Sequence, residues 1–282
     1  MNMKNVMMGK IYKAITEIFL KRSPFLQILV VSVTITQYLV NSNYAYNLEE
    51  IIITNTGLIN YKTYSSYEKE ILRYRIGWEF IYAGDAEMGI IPIELYGRKI
   101  YRIYTETKSN KTIDAIYKVR NKTESYVDYY GFYSLRFYKD QNEAGYVSKD
   151  NVVFDHKNNL WYNLIDNTTG YIPRFVQDVV SSLYWLRLQD IKVGEVYTFK
   201  VWVGKVVYPM IVDVIEICKI KVHGKEYECF KVEPRVDLQS FPLFKAKGRL
   251  FVYLTRDKRK LPVRLESKVF IGRVIADFVE EK

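Results

Sequence analysis

Few residues in this chain have types and spacing suited to chemistry. There are two histidines, His156 and His223. Both fall among turn-forming residues, in His156-Lys157-Asn158-Asn159 and Val222-His223-Gly224-Lys225. A zinc site needs clustered imidazole or thiolate ligands, and neither an H-E-x-x-H pattern nor a Cys/His cluster occurs. The nucleophile elbow, the P-loop and the dinucleotide fingerprint are also missing. Glu79, Asp85 and Glu87 share one predicted hairpin. Two acids can hydrolyse a glycosidic bond only if they flank it, and strand spacing alone does not place them so. They read as a solvated strand face. The sequence therefore offers no catalytic residue, no metal site and no cofactor site. A hydrolase of wall polymer or lipid is the weakest of the functional classes.

One spacing stands out, D-x-x-S-x-x-Y-x-x-R, formed by Asp178, Ser181, Tyr184 and Arg187. It lies in a segment, Pro173 to Leu188, whose apolar residues Phe175, Val176, Val179, Val180, Leu183 and Leu186 recur at helical intervals. Pro173 suits a first helical position. At about 100° per residue the apolar face centres on Val179 and Leu183, with Asp178, Ser181 and Trp185 on the opposite side. Arg187 falls roughly 60° from that centre by the same count. An arginine so close to the core needs a partner, because an unpaired buried charge is very costly. Two roles suit it. One is a structural ion pair or hydrogen bonds to strand carbonyls, alongside structural roles for Asp178 and Ser181. The other is anion recognition in a pocket, for a lipid headgroup or a carboxylate. Arg187, Tyr184 and Trp185, with Trp78 and Trp202, are the residues that would line such a pocket.

Cys218 and Cys229 are the only cysteines. A two-residue His223-Gly224 turn sets Val222 opposite Lys225 and hence Cys218 opposite Cys229. Directly opposed Cα atoms lie about 4.5–5.5 Å apart, within reach of a disulfide. A cross-strand bridge and two small reduced thiols remain equal alternatives. C-x-x-C is missing, so a redox-catalytic role is not indicated.

The elements that would position these residues are mainly strands. Hydrophobic residues make up 49% of the 282 residues and aromatics 16%, with 26 tyrosines, enough for a sizeable core of β-favouring side chains. From Leu72 to Tyr82 the even positions read Leu, Tyr, Ile, Trp, Phe, Tyr, which is period-two alternation. Gly84-Asp85 is expected to turn the chain. Ala86 to Leu95 follows as a strand whose Pro92 implies an edge or bulge. Lys99 to Thr107 is the next strand, and Asn110 to Ile116 a short helix. Further strand-like runs extend to Val279, interrupted only by the helical segment. The expectation is a mainly β chain: an antiparallel open barrel or sandwich, one domain from residue 46 to 282, with one amphipathic helix at about 173–188 packed on it.

Residues 1–45 differ from the rest. Lys4, Lys10, Lys13, Lys21 and Arg22 precede an uncharged, mostly apolar stretch from Pro24 to Val40, then Asn43-Tyr44-Ala45. That order fits a secretory signal peptide, with an uncleaved membrane anchor as the alternative. The whole chain carries +10, and the remainder after residue 45 holds 37 basic and 31 acidic residues, a net of +6. The charges are scattered, and Arg256-Asp257-Lys258-Arg259-Lys260 reads as a solvated turn. No concentrated basic module is present, so nucleic acid is not an expected partner.

Several stretches together resemble a known family. They are Arg75 to Gly84, the helix from Asp178 to Arg187, Phe244-Lys245-Ala246-Lys247-Gly248, Asp257, Pro262-Val263 and Gly272. In this order they are similar to the domain-of-unknown-function 3108 family of exported bacterial proteins. The resemblance implies export to the periplasm or cell envelope and a β-rich fold, and it implies no reaction. The architecture is also similar to open half-barrels that carry lipoproteins across the periplasm, a fold-level analogy. The expected role is therefore non-enzymatic. The leading expectation is binding of a lipid or acylated ligand in a β half-barrel under the helix. The alternative is an assembly protein that docks on an envelope complex.

Overall fold

The structure, a computed structural model, describes residues 67–236, 249–269 and 272–282. The segment 1–45 and the stretch Phe244 to Gly248 lie outside the described residues. The first half of the sheet comprises β1 (Glu70–Trp78), β2 (Ile81–Leu95), β3 (Arg98–Ser109), β4 (Val119–Asp128), β5 (Ser134–Glu143), β6 (Tyr146–Asp155), β7 (Leu160–Asn163) and β8 (Thr169–Tyr171). The second half comprises β9 (Gln177–Asp178), β10 (Val196–Val203), β11 (Val206–Val222), β12 (Lys225–Val236), β13 (Arg249–Thr255), β14 (Pro262–Val269) and β15 (Gly272–Glu281). Two helices interrupt them, α1 (Lys111–Asp114) and α2 (Val179–Arg187). All strands join one 15-stranded sheet in the order β8 through β1, then β15 down to β9. The first and last strands, β1 and β15, are therefore neighbours, paired antiparallel at the middle of the sheet. The mainly β, open architecture matches the expectation from sequence.

Local chemistry explains where strands start and stop. The alternation from Leu72 buries Leu72 and Tyr74, but the strand ends at Trp78, not Tyr82. A tight turn intervenes, with Glu79 at φ 51° and Trp78 facing Ile81. Phe80 is consequently 90% exposed, not part of the core face. Gly84, read from sequence as a turn residue, sits inside β2. There it allows a close strand approach, since a Cβ at this position would lie 2.2 Å from the Lys108 carbonyl oxygen. Pro92 pairs with Tyr101 on the β3 side, while β1 reaches only as far as Ile90 on the other. The missing proline N–H thus falls where no neighbouring strand needs it. The short helix α1 forms as expected, capped by Asn110 Oδ1, which accepts from the Thr112 and Ile113 N–H groups.

The sheet rolls until its two ends overlap. Phe199, Val201 and Val203 of β10 face a cluster with Leu186, Met210 and Val212. Trp202 points to the opposite face, as strand alternation requires, and is buried there too. It packs on Phe137, Phe154 and Trp161 of β5, β6 and β7, with ring centroids 5.6 Å away in each case. The Ser134 N–H of β5 donates to the Val176 carbonyl just before β9, and Lys205 pairs with Asp166 across the same seam. Helix α2 lies in the resulting concavity. It contributes Val180 and Tyr184 to one cluster and Leu186 to a second, and Leu183 also touches a third.

The helix differs from its expected form in two respects. It starts at Val179, not Pro173, because Asp178 caps it and the preceding residues form β9. Its polar side is not solvent-facing. Asp178 and Ser181 are fully buried, whereas Val179 and Leu183, the expected inward centre, are half-buried. A helix inside a rolled sheet meets protein on several sides, so a single apolar stripe does not fix its orientation.

The β11–β12 hairpin follows the expected register, with Val222 facing Lys225 and Cys218 facing Cys229 across a His223-Gly224 turn at φ 47° and 86°. Gly224 adopts that left-handed geometry without strain. Both thiols are free. Burial pushes the Cys229 thiol up to about 12, and Cys218 is half-buried with a smaller rise from the same cause. Thiolate is the reactive form. Iodoacetamide should therefore label Cys218 well ahead of Cys229 in the native chain, with Cys229 reacting only after denaturation. Peptide mapping checks this, and equal labelling of both would contradict the packing at Cys229.

Candidate functional site

The motif residues of α2 form two connected polar groups inside the roll. At the helix start, Asp178 Oδ1 accepts from the Val180 and Ser181 N–H groups at 2.8 and 2.9 Å. Its Oδ2 accepts from the Ser125 and Ser134 hydroxyls. The Asp178 N–H donates in turn to Ser181 Oγ and Ser134 Oγ, both at 2.9 Å. This is a capping box completed by hydroxyls from β4 and β5. Burial raises the Asp178 pKa above its ordinary 3.8, and the four donors counter that rise. His156, also fully buried, extends the group. Its Nε2–H donates to the Ser134 carbonyl at 2.6 Å and its Nδ1 accepts from the Phe175 N–H at 3.1 Å. These partners select the neutral ring, and burial lowers the His156 pKa to about 4.

At the helix end, Arg187 forms a bidentate pair with Glu70, the first residue of β1, at 2.7 and 2.8 Å. Its remaining donor capacity goes to the Arg259 carbonyl. The guanidinium lies 5.3 Å from the Tyr67 ring centre and 5.0 Å from that of Tyr184, so it is held between aromatic faces. Arg259 also contacts Glu70, at 2.9 Å, and reaches Glu281 of β15 at 2.7 Å. Burial alone would raise the Glu70 pKa, but the Arg187 and Arg259 guanidiniums outweigh it and hold the carboxyl below its ordinary 4.5. The run Arg256 to Lys260 is thus more than a solvated turn. Arg259 and the Lys260 ammonium, which donates to the Arg187 carbonyl, fasten the helix end to the sheet.

Tyr184 and Trp202 are fully enclosed, and the Tyr184 hydroxyl has no hydrogen-bond partner among the described residues. Trp185 packs on Phe199 at 4.4 Å. Trp78, half-buried at the end of β1, lies outside the cluster that holds Trp161, Trp185 and Trp202. Of the residues expected to line a pocket, Tyr184, Trp185 and Trp202 therefore pack in the interior, Arg187 is held in the ion-pair network, and Trp78 belongs to neither group. Among the described residues, no group of three His, Cys, Asp or Glu side chains could hold a metal ion. No helix there is long and apolar enough to cross a membrane. Sequence reasoning missed Glu70 and Arg259. Glu70 did leave a signal: it precedes Leu72 and Tyr74 on the inward side of the same strand, an acid on an apolar face.

Residues 73–279 match the profile of a family described as a protein of unknown function, DUF3108. No curated protein matches the chain. Among solved structures, a β-barrel-like protein of the DUF1849 family from Brucella abortus is similar at 10% identity and TM-score 0.56. That match covers 77% of this chain and 99% of the other. A candidate lipoprotein from Parabacteroides distasonis aligns at 11% identity over 79% of this chain and 100% of its own, with TM-score 0.32. The Brucella likeness supports the rolled β fold and carries no activity with it.

Two outcomes follow from this geometry. Arg187→Ala should lower unfolding free energy by about 3 kcal/mol in urea titrations, because it leaves Glu70 buried with only Arg259 as a counter-charge. Adding Glu70→Met to Arg187→Met should cost less than the sum of the two single changes, and strict additivity would refute the coupling. For His156, the folded pKa near 4 lies below the unfolded 6.5. The unfolded chain then binds more protons between those values, so stability falls as pH drops from 6.5 to 4, by about 3 kcal/mol. His156→Gln should flatten that limb of a plot of melting temperature against pH.

Proposed function

The chain belongs to the DUF3108 family, and on that premise we propose that it is a non-enzymatic protein of the bacterial cell envelope. It works through its outer surface, docking on an envelope complex. The observation that carries the reading is the filled concavity. A carrier of lipid or acylated protein needs an apolar cavity beneath the helix, and α2 occupies that space. Arg187, the buried cation that a headgroup would have to reach, is 2% exposed and fully engaged by Glu70 and the Arg259 carbonyl. An acyl chain would have to displace Tyr184 and Trp202, both buried on all sides. The basic lead and uncharged stretch of residues 1–45 support export.

The surface has features that suit docking. Phe80 is 90% exposed at the β1–β2 turn and Tyr171 is 77% exposed at the sheet edge. Large aromatics supply binding energy efficiently at interfaces. Export and docking are tested together by chemical cross-linking of intact envelopes from the native host, followed by detergent-free native mass spectrometry of the purified chain. The expected result is a discrete protein–protein adduct in the envelope fraction and a bare polypeptide mass after purification. A reproducible added mass that fragments as lipid would restore the carrier reading. A chain confined to the cytosol would overturn export.

A further inference from the structure

The overlap of the sheet ends leaves a shallow open depression of about 490 Å³. Tyr171, Ile172 and Arg174 from the β8 end of the sheet line it together with Lys200 of β10 and Val207 of β11. Two properties of this place are unmet by the fold. First, β8 is the terminal strand of the sheet, so its outer edge has no partner strand among the described residues. Such an edge presents free N–H and C=O groups that another extended chain can pair with. Second, Arg174 and Lys200 are both exposed, and neither forms an ion pair among the described residues. The nearby Lys205, by contrast, is neutralised by Asp166.

We propose that this depression docks an extended acidic segment of a partner protein. The segment would pair as a strand along β8, with its carboxylates on Arg174 and Lys200. Strand addition to an exposed edge is a recurring mode of peptide recognition, in which main-chain bonds give affinity and side chains give selectivity. A peptide brings N–H donors for the free β8 carbonyls and C=O acceptors for its free N–H groups. A phosphate headgroup would satisfy the two cations but offers no such donors, so it leaves the strand edge unmet.

The inference rests on the docking reading and is tested separately from it. The purified full-length chain is titrated with a fluorescent peptide alternating Glu and Val, with its Lys-for-Glu counterpart, and with vesicles containing phosphatidylglycerol. The acidic peptide should bind and the basic one should not. Arg174→Glu with Lys200→Glu should weaken binding roughly tenfold or more, as expected when two attractive charges become repulsive. Lys219→Glu on the distant hairpin should have no effect. Circular dichroism confirms that each variant is folded. Equal binding of both peptides, no binding of either, or an unchanged double variant would overturn the proposal. So would vesicle capture that the acidic peptide fails to displace, which would assign the depression to a headgroup. If envelope cross-links persist while the peptide result is negative, docking stands and this site does not.

Discussion

A helix enclosed by a rolled sheet has little water to satisfy its polar groups, and the rest of the structure answers to that constraint. Each buried donor or acceptor left unpaired costs on the order of a few kcal/mol, and an unpaired charge costs more. Helix α2 meets the demand at both ends with groups from distant strands. Ser125, Ser134 and the capping box enclose the Asp178 carboxylate. Glu70 and the Arg259 carbonyl absorb the Arg187 guanidinium. The motif spacing thus reads as the set of anchors that lets a polar-sided helix sit in an apolar interior. The same anchors set the depth and tilt of the roll, because they tie β1, β4, β5 and the β13–β14 turn to one rod.

That arrangement explains why functional signals move to the outside. Arg187 attracts attention as a buried cation near aromatic rings, a pattern shared by anion sites. Here its bidentate partner and two flanking rings leave no face open to a ligand. The exposed, unpaired cations Arg174 and Lys200 lie where the sheet ends overlap, since two ends of a twisted sheet rarely meet in register and this seam is joined by isolated hydrogen bonds, not by a continuous ladder.

Much of the fold was legible from residue order. Alternation identified the strands, and the His223-Gly224 turn gave the β11–β12 register residue by residue. The failures have physical causes. The strand from Leu72 was read through Trp78 because Glu79 and Phe80 carry no turn chemistry of their own, while Gly84, the apparent turn residue, serves a close backbone approach. The helix start was misplaced because Phe175 and Val176 continue the apolar rhythm, although Asp178 supplies the cap. Its orientation was not readable, since an apolar stripe points inward only when the other side meets water. Sequence showed that Arg187 needs a partner but not which one. Glu70 lies 117 residues away, and only the roll of the sheet brings them together.

The pairing of β1 with β15 has a consequence for how the chain is assembled. Arg73 and Glu280, bonded across that pair, are 207 residues apart. Each half of the sheet is built mainly of strands that pair with their neighbours in sequence, yet the seam joining the halves needs the last strand to be present. Contacts of such long sequence separation carry a large loop-closure cost and form late. A chain emerging from the ribosome can pair one edge of β1 with β2 at once, but the other edge of β1 has no mate until β15 arrives. The fold therefore withholds its own completion until β15 is available, and until then the two half-sheets remain separate bodies with an unpaired edge between them.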